Sequence, residues 1–232
     1  MKRSLQARHR LTSLGACLIR GTPMSAPTMT LYFNAASPFA RKVMVMLHET
    51  AQLDRVELQT TVLTPVSPSA ELNEDNPAGK LPALRLADGN VIHDSRVILD
   101  FLDHQHVGLP LIPLEGSARW RRLTLASLAD AVLDAAVMIR YETALRPQEK
   151  HWDQWLDNQQ QKIERSLHYF ESDAVTELST SFDVASISVA VALGYLDFRQ
   201  PDLNWRSTYP RLAAWYLDVS QRPSMIATLP PV

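Results

Sequence analysis

The sequence predicts two units of different class: a small mixed α/β unit over residues 29–106 and an all-helical unit over 114–232. Three observations carry this. Short segments rich in strand formers surround a helical segment in the first part, and an Asp-Gly pair between two of them marks a hairpin. A stiff connection, Gly-Leu-Pro-Leu-Ile-Pro at 108–113 within a linker over 107–113, then separates it from the rest of the chain. Beyond that connection every long segment repeats its apolar residues at helical spacing.

The elements come in this order. Residues 29–33 (MTLYF) alternate and favour a strand, and 34–37 make a turn. Pro38 opens a helix in which Val43, Met46, Leu47 and Thr50 recur near helical spacing, ending before Leu53. A second strand falls at 55–60. Between 64 and 80, Pro65, Pro68, Pro77 and Gly79 limit any helix to a short, irregular one. Residues 83–87 and 90–93 flank Asp88-Gly89 and pair as a hairpin. A helix over 95–104 places Val97, Ile98, Phe101 and Leu102 on one face. In the second unit, 117–145 is one long helix stopped by Pro147, and 151–170 is another. Residues 184–198 are apolar nearly all round, the mark of a buried helix. Pro210 opens a last helix that ends before Pro223. An Asp183-Val184-Ala185-Ser186 box starts the buried one, with Asp183 as cap, Ser186 reaching back, and Phe182 and Ile187 placed as a staple.

Composition narrows the function classes. The chain has 232 residues, 46% of them hydrophobic, with 23 basic against 25 acidic side chains and a net charge of -2. That balance gives no footprint for a phosphate backbone, so a nucleic-acid partner is not expected. The one cysteine, Cys17, excludes an intrachain disulfide and any Cys-built metal site, and fits a reducing compartment. No stretch approaches the ~18 apolar residues of a membrane span. The expectation is a soluble, cytoplasmic protein. Residues 1–28 hold Lys2, Arg3, Arg8, Arg10 and Arg20 and no acidic residue, and are read as a disordered extension preceding a working protein that starts near Met29.

Three places can carry chemistry. Ser37-Pro38 is a helix start in which Ser37 caps a backbone N–H; alternatively the turn presents its hydroxyl and the helix amides to an anion such as a thiolate. Leu81-Pro82 stands directly before a strand; a cis bond there would offer the backbone of Leu81 to an extended ligand. Asp94-Ser95 is either a helix cap or a clamp in which Asp94 takes an ammonium while Ser95 and the helix amides take the neighbouring carboxylate. Strand ends converging on one sheet edge are a usual ligand site. His104 and His106, near Asp100 and Asp103, read as a solvated helix end, and no metal is assigned. Trp120, Trp152, Trp155 and Tyr141 read as core or dimer-interface side chains.

Taken together, Ser-Pro-Phe-Ala-Arg-Lys-Val at 37–43, Asn-Pro-Ala-Gly-Lys-Leu-Pro-Ala-Leu at 76–84 and Asp94-Ser95 resemble the thioredoxin-like domain of glutathione S-transferases. In the helical unit, Arg140-Tyr141-Glu142, Arg146-Pro147, residues 193–199 (LGYLDFR) and Arg222-Pro223-Ser224 resemble a bacterial, serine-type branch. The resemblance runs from Met29 to the C-terminus. It implies that Ser37 bonds the glutathione sulfur, that Leu81 before a cis Pro82 pairs with the cysteinyl unit, and that Asp94 and Ser95 hold the γ-glutamyl group. Lys80 is a further contact to a carboxylate. It also implies an apolar second-substrate pocket between the units, with Phe39 and Tyr141 on its wall, a homodimer, and no cofactor beyond glutathione as co-substrate. With serine at position 37, mixed-disulfide chemistry is disfavoured. Two rivals stand beside conjugation to an electrophile: a transferase-like fold kept as an interaction module, and a glutathione-dependent lyase or isomerase.

Overall fold

The computed structural model of the protein describes residues 28–231. Apart from Thr28, the extension read over 1–28, with Cys17, lies outside the described residues. A four-stranded sheet in the order β2-β1-β3-β4 forms from β1 (Met29–Phe33), β2 (Val56–Thr60), β3 (Ala83–Leu86) and β4 (Val91–Ile92). β1 runs parallel to β2 and antiparallel to β3, and β3 pairs antiparallel with β4 through a turn in which Gly89 takes φ 86°. The parallel pair is joined by α1 (Pro38–Glu49), as a crossover requires. The short α2 (Ala70–Asp75) precedes β3, and α3 (Ser95–Asp103) comes after β4. Tyr32, fully buried on β1, donates to Asp75 at 2.7 Å, and Arg85 of β3 also bonds that carboxylate. The network ties α2 to the sheet. Burial and the Asp75 carboxylate push the Tyr32 phenol up to about 12.

The second unit is helical: α4 (Gly116–Leu145), α5 (Asp153–Tyr169), α6 (Val175–Leu178), α7 (Val184–Arg199), α8 (Trp205–Thr208), α9 (Pro210–Val219) and α10 (Pro223–Ala227). A π-helical turn, Phe170–Ala174, joins α5 to α6. The helix opened by Pro210 ends before Pro223 as expected, but it is not the last: Pro223 opens α10, where it lacks only the N–H that a first turn leaves unpaired. On α3 the apolar face is Ile98, Leu99 and Leu102, while Val97 is 53% exposed. Ile98 and Leu102, with Phe101 partly buried beside them, lie on the expected face, and Leu99 takes the place expected of Val97, because a run of three apolar residues at 97–99 allows either edge.

Helix α7 runs through the middle of the helical core, with residues 184–196 all buried. Asp183 caps it, accepting from the N–H groups of Ala185 and Ser186, and pairs with Arg122 at 2.9 Å. Ser186 does not reach back to the cap. Its hydroxyl donates instead to the carbonyls of Leu178 and Ser181, anchoring the end of α6. Trp120 and Trp152 are not core: they are 67% and 63% exposed.

Polar groups weld the two units. Lys42, fully buried on α1, bonds Asp130 of α4, and Arg96 of α3 takes the other oxygen of that carboxylate at 2.7 Å. Glu49 at the end of α1 accepts from Arg222 and from Ser224 of α10. Asp103, buried, accepts from the N–H groups of Leu111 and Ile112 and so pins the connection between the units. His106 adds a contact to Asp103 at 3.2 Å, while His104 bonds the carbonyl of Asp100; both close the end of α3.

Candidate functional site

Strand register assembles the site. Tyr32 near the end of β1 faces Ala83 at the start of β3, and Ile92 at the end of β4 faces Leu84. The turn leading to Ser37, the Leu81-Pro82 pair before β3 and the His93–Ser95 corner after β4 therefore meet at one end of the sheet.

Each piece is positioned by its own local chemistry. The Asn34 side chain accepts from the Ala36 N–H at 2.9 Å and donates to the Thr61 carbonyl, fixing the turn after β1. Ser37, half-buried, caps α1 by accepting from the Ala40 N–H at 3.3 Å. Its own hydroxyl hydrogen donates to no protein group among the described residues. Pro82 is buried, Leu81 half-buried, and the peptide bond between them is cis, as is the bond between His93 and Asp94. Asp94, exposed, caps α3 by accepting from the Arg96 N–H at 2.9 Å, and Ser95 beside it is buried. Lys80 is exposed on a turn where Gly79 has φ 59°; its carbonyl accepts from Asn76.

Behind this edge lies charge that the sequence alone does not reveal. Lys42 and Arg41 look like solvated residues of a helix surface, yet both are buried, because α1 shares a core with the sheet and α3, α4, α7 and α10 pack around it. Burial pushes the Lys42 amine below its ordinary pKa, and Asp130 opposes that shift. Asp134, one turn along α4, is pushed up by burial and by Asp130.

A narrow crevice of about 10 Å3, room for a single water, opens beside Ser37, walled by Ala36, Arg41, Tyr195 and Pro230. Gly194 makes room for the Arg41 side chain: a Cβ there would stand 2.6 Å from Arg41 Nη1 and 2.8 Å from the Tyr216 oxygen. Phe39 is half-buried against the helical core, with Lys42 Nζ 5.6 Å from its ring centre. Tyr141 is 36% exposed on α4, near enough for its phenol to act on that of Tyr195. Tyr195, which the sequence marks only through the resemblance of its motif, is the aromatic residue that lines the crevice.

Comparison with known proteins decides the family. A family model described as glutathione S-transferase, N-terminal domain, matches residues 36–105, and one for the C-terminal domain matches 153–217. A glutathione transferase family member from Pseudomonas fluorescens Pf-5, solved with bound glutathione, is 65% identical, with a TM-score of 0.88 over 88% of this chain and 100% of its own. This chain belongs to the glutathione S-transferase family. A second structure from the same organism, with bound S-(propanoic acid)-glutathione, is 63% identical with a TM-score of 0.83 and the same coverage. The uncharacterized GST-like protein YibF of Escherichia coli (strain K12) is 29% identical over 205 residues, 88% of this chain and 99% of its own. The mixed sheet with a helical unit after it is thus the transferase fold, and the sheet edge that gathers Ser37, Leu81 and Asp94 lies within the N-terminal match.

Proposed function

We propose that the protein joins the glutathione thiolate to a small electrophile, with Ser37 as the group that bonds the sulfur. The observation that carries this reading is the meeting of Ser37, Leu81-Pro82 and Asp94-Ser95 at one sheet end. Glutathione lies along that edge in this reading. Its ammonium meets Asp94, its α-carboxylate meets Ser95 and the first amides of α3, and its cysteinyl unit pairs with the Leu81 backbone. Lys80 offers a charge to the remaining carboxylate. The sulfur then reaches the start of α1. A free thiol ionises near pH ≈ 8.5, so a drop of ~2 units makes thiolate the major form at neutral pH. The Ser37 hydroxyl, with its hydrogen unclaimed, and the amide end of α1 favour that anion. Attack forms the sulfur–carbon bond, and Phe39, Tyr141 and Tyr195 are the aromatic candidates for holding the acceptor. Binding of glutathione and of an S-substituted glutathione by the two Pseudomonas relatives supports this reading.

Two further expectations belong to it. A second copy of the chain is assigned to the groove of about 470 Å3 between α4 and α5, which Leu128, Ala131 and Tyr169 line. Leu58, Val62 and Val66, exposed on and after β2, are the apolar residues offered in return. The compartment assigned is the cytosol; among the described residues no helix is long and apolar enough to cross a membrane. Calorimetric titration with glutathione, then turnover against a panel of electrophiles, tests the function. Absence of glutathione binding would end it. Light scattering on wild type and on Ala131→Arg tests the dimer, which the arginine should split.

A further inference from the structure

Arg41 is buried without an acid. It is 5% exposed, and among the described residues no carboxylate lies within 4.0 Å of it. Its neighbour Lys42 is answered by Asp130, and Arg222, which also ties α1 to α10, is answered by Glu49. Arg41 donates only to neutral oxygens, the Met225 carbonyl at 3.1 Å and the Thr228 hydroxyl at 3.4 Å. Burial pushes its pKa below the ordinary value, while Tyr216 and Asp197 oppose the shift. That aspartate is already bonded by Trp205 and Arg206. An arginine keeps its charge in a protein all the same. Its place is specific as well. Arg41 lies one turn after Ser37 on α1, its N–H donating to the Ser37 carbonyl at 3.0 Å, and a helical side chain leans back over the turn before it. The two residues share the wall of one crevice with room for a single water. The segments that hold the guanidinium border that crevice too. Thr228 stands two residues before Pro230, Gly194 stands next to Tyr195, and both Pro230 and Tyr195 wall it.

A cation taken out of water without a counter-ion costs stability, and an opposite charge a few ångströms away lowers the pKa of an acid by about 1–3 units. We infer that Arg41 is the fixed positive charge of the thiolate site, and that the glutathione sulfur, ionised at Ser37, is its counter-ion. This rests on the proposed conjugation of glutathione and adds to it a source for the ionisation. The thiol proton passes to water, and the guanidinium, which gives up no proton of its own, remains as compensation. Arg41 does not touch the sulfur in this scheme. Its field reaches the anion through packed protein, where charge is screened less than in water. The Ser37 hydroxyl directs the sulfur, while the α1 amides and Arg41 supply the positive potential. The other groups around the guanidinium do not replace it. From α7 come Tyr195 and the committed Asp197, from α9 the Tyr216 phenol, and from α10 the neutral Met225 and Thr228. Lys42, on α1 itself, has its charge cancelled by Asp130.

Charge and mere bracing of α10 are separable. Arg41→Gln keeps amide donors for Met225 and Thr228 and removes the charge. With the full chain, thiolate absorbance of bound glutathione should titrate about one unit higher in this variant than in wild type. Turnover of a reactive aryl halide, as kcat/KM, should fall about ten-fold at pH 6.5 and stay within about two-fold at pH 9, where the thiol ionises unaided. Arg41→Lys keeps the charge but loses the planar fork, so its bound thiol should stay within about 0.3 unit of wild type. A brace alone would lower the urea midpoint and slow the reaction equally at every pH. That result overturns the inference, as does an equal thiol shift in the Gln and Lys variants. Ser37→Cys gives a readout that needs no glutathione. The introduced thiol should ionise below pH ~7.5, and about one unit higher once Arg41→Gln is added. An ordinary value near 8.5 in Ser37→Cys overturns the inference even if the double variant does not fold. If the introduced thiol behaves as stated but wild type binds no glutathione, the conjugation reading alone fails. If glutathione is bound and conjugated while Arg41→Gln leaves its thiol unmoved, this inference alone fails.

Discussion

Ser37 holds two roles in one oxygen: it accepts the Ala40 N–H as a cap and keeps a hydrogen to donate. Ser37→Ala removes both. Glutathione affinity should stay near wild type, since the other contacts lie at Leu81, Asp94 and Ser95. The bound thiol should ionise at higher pH and turnover at pH 7 should fall roughly ten- to a thousand-fold, as for loss of a donor to a reacting anion. Thiolate absorbance against pH, read beside turnover, checks this; an unmoved thiol leaves Ser37 a cap alone. Asp94 poses the same question at α3, and there the conservative variant separates the answers. Asp94→Asn keeps the cap but loses the charge, so glutathione binding should weaken by ~1.5–3 kcal/mol with little loss of stability. Full affinity in that variant would remove the ammonium clamp. These residues are legible in the sequence because Ser-Pro, Leu-Pro and Asp-Ser each mark a chain corner by local chemistry. Lys42 and Tyr195 are not. A lysine on an amphipathic helix reads as solvated until the covering helix is known, and Tyr195 is a core residue whose place on the crevice wall only the packing of α7 against the start of α1 reveals.

Helices show the same division between local and long-range signals. The starts of α1, α7 and α9 lie at Pro38, Val184 and Pro210, as the Ser37 and Asp183 caps and the two prolines announce. The edge of the buried face of α3 falls at Leu99 rather than Val97 because the two flank Ile98 and are both apolar, and only contact with α1 chooses between them. α10 escapes a sequence reading because Pro223 stops and starts helices alike. On α7 the sensitive position is Gly194. Alanine in a helix interior is ordinarily better than glycine by about 1 kcal/mol. Here its methyl would meet Arg41, which Met225 and Thr228 hold in place, and the Tyr216 hydroxyl. Gly194→Ala should therefore destabilise by about 1–3 kcal/mol, the usual cost of overpacking, as read from urea unfolding. Net stabilisation would mean that Arg41 is free to step aside.

At the scale of the molecule, one carboxylate holds three elements together. Asp130→Ala would leave the Lys42 ammonium buried beside Arg96 with no counter-ion, and should cost about 3–5 kcal/mol. The double variant Lys42→Met with Asp130→Leu should recover most of that loss, because the pair is valuable mainly against the unpaired charge; a double-mutant cycle in urea measures the difference. Acid titration has a definite sign. Hydrogen bonds from Tyr32 and Arg85 hold Asp75 below its ordinary pKa. For Glu49, burial pushes upward but the Arg222 and Ser224 bonds outweigh it. The stability these two contribute is present above the normal carboxylate range and is lost as pH falls through their lowered values. Asp134 runs the other way: its raised pKa means that the ionised form costs stability at neutral pH. Asp134→Asn should raise the urea midpoint at pH 7, with the gain shrinking as pH falls through that raised value. Pro230 is part of the crevice wall at Ser37, and that carries a practical consequence for anyone preparing the protein. On the proposed reading, a purification handle fused after Val232 would leave the chain within two residues of that wall, crowding bulky electrophiles more than small ones. Matched preparations tagged at opposite ends should therefore disagree in KM for large acceptors and agree for small ones.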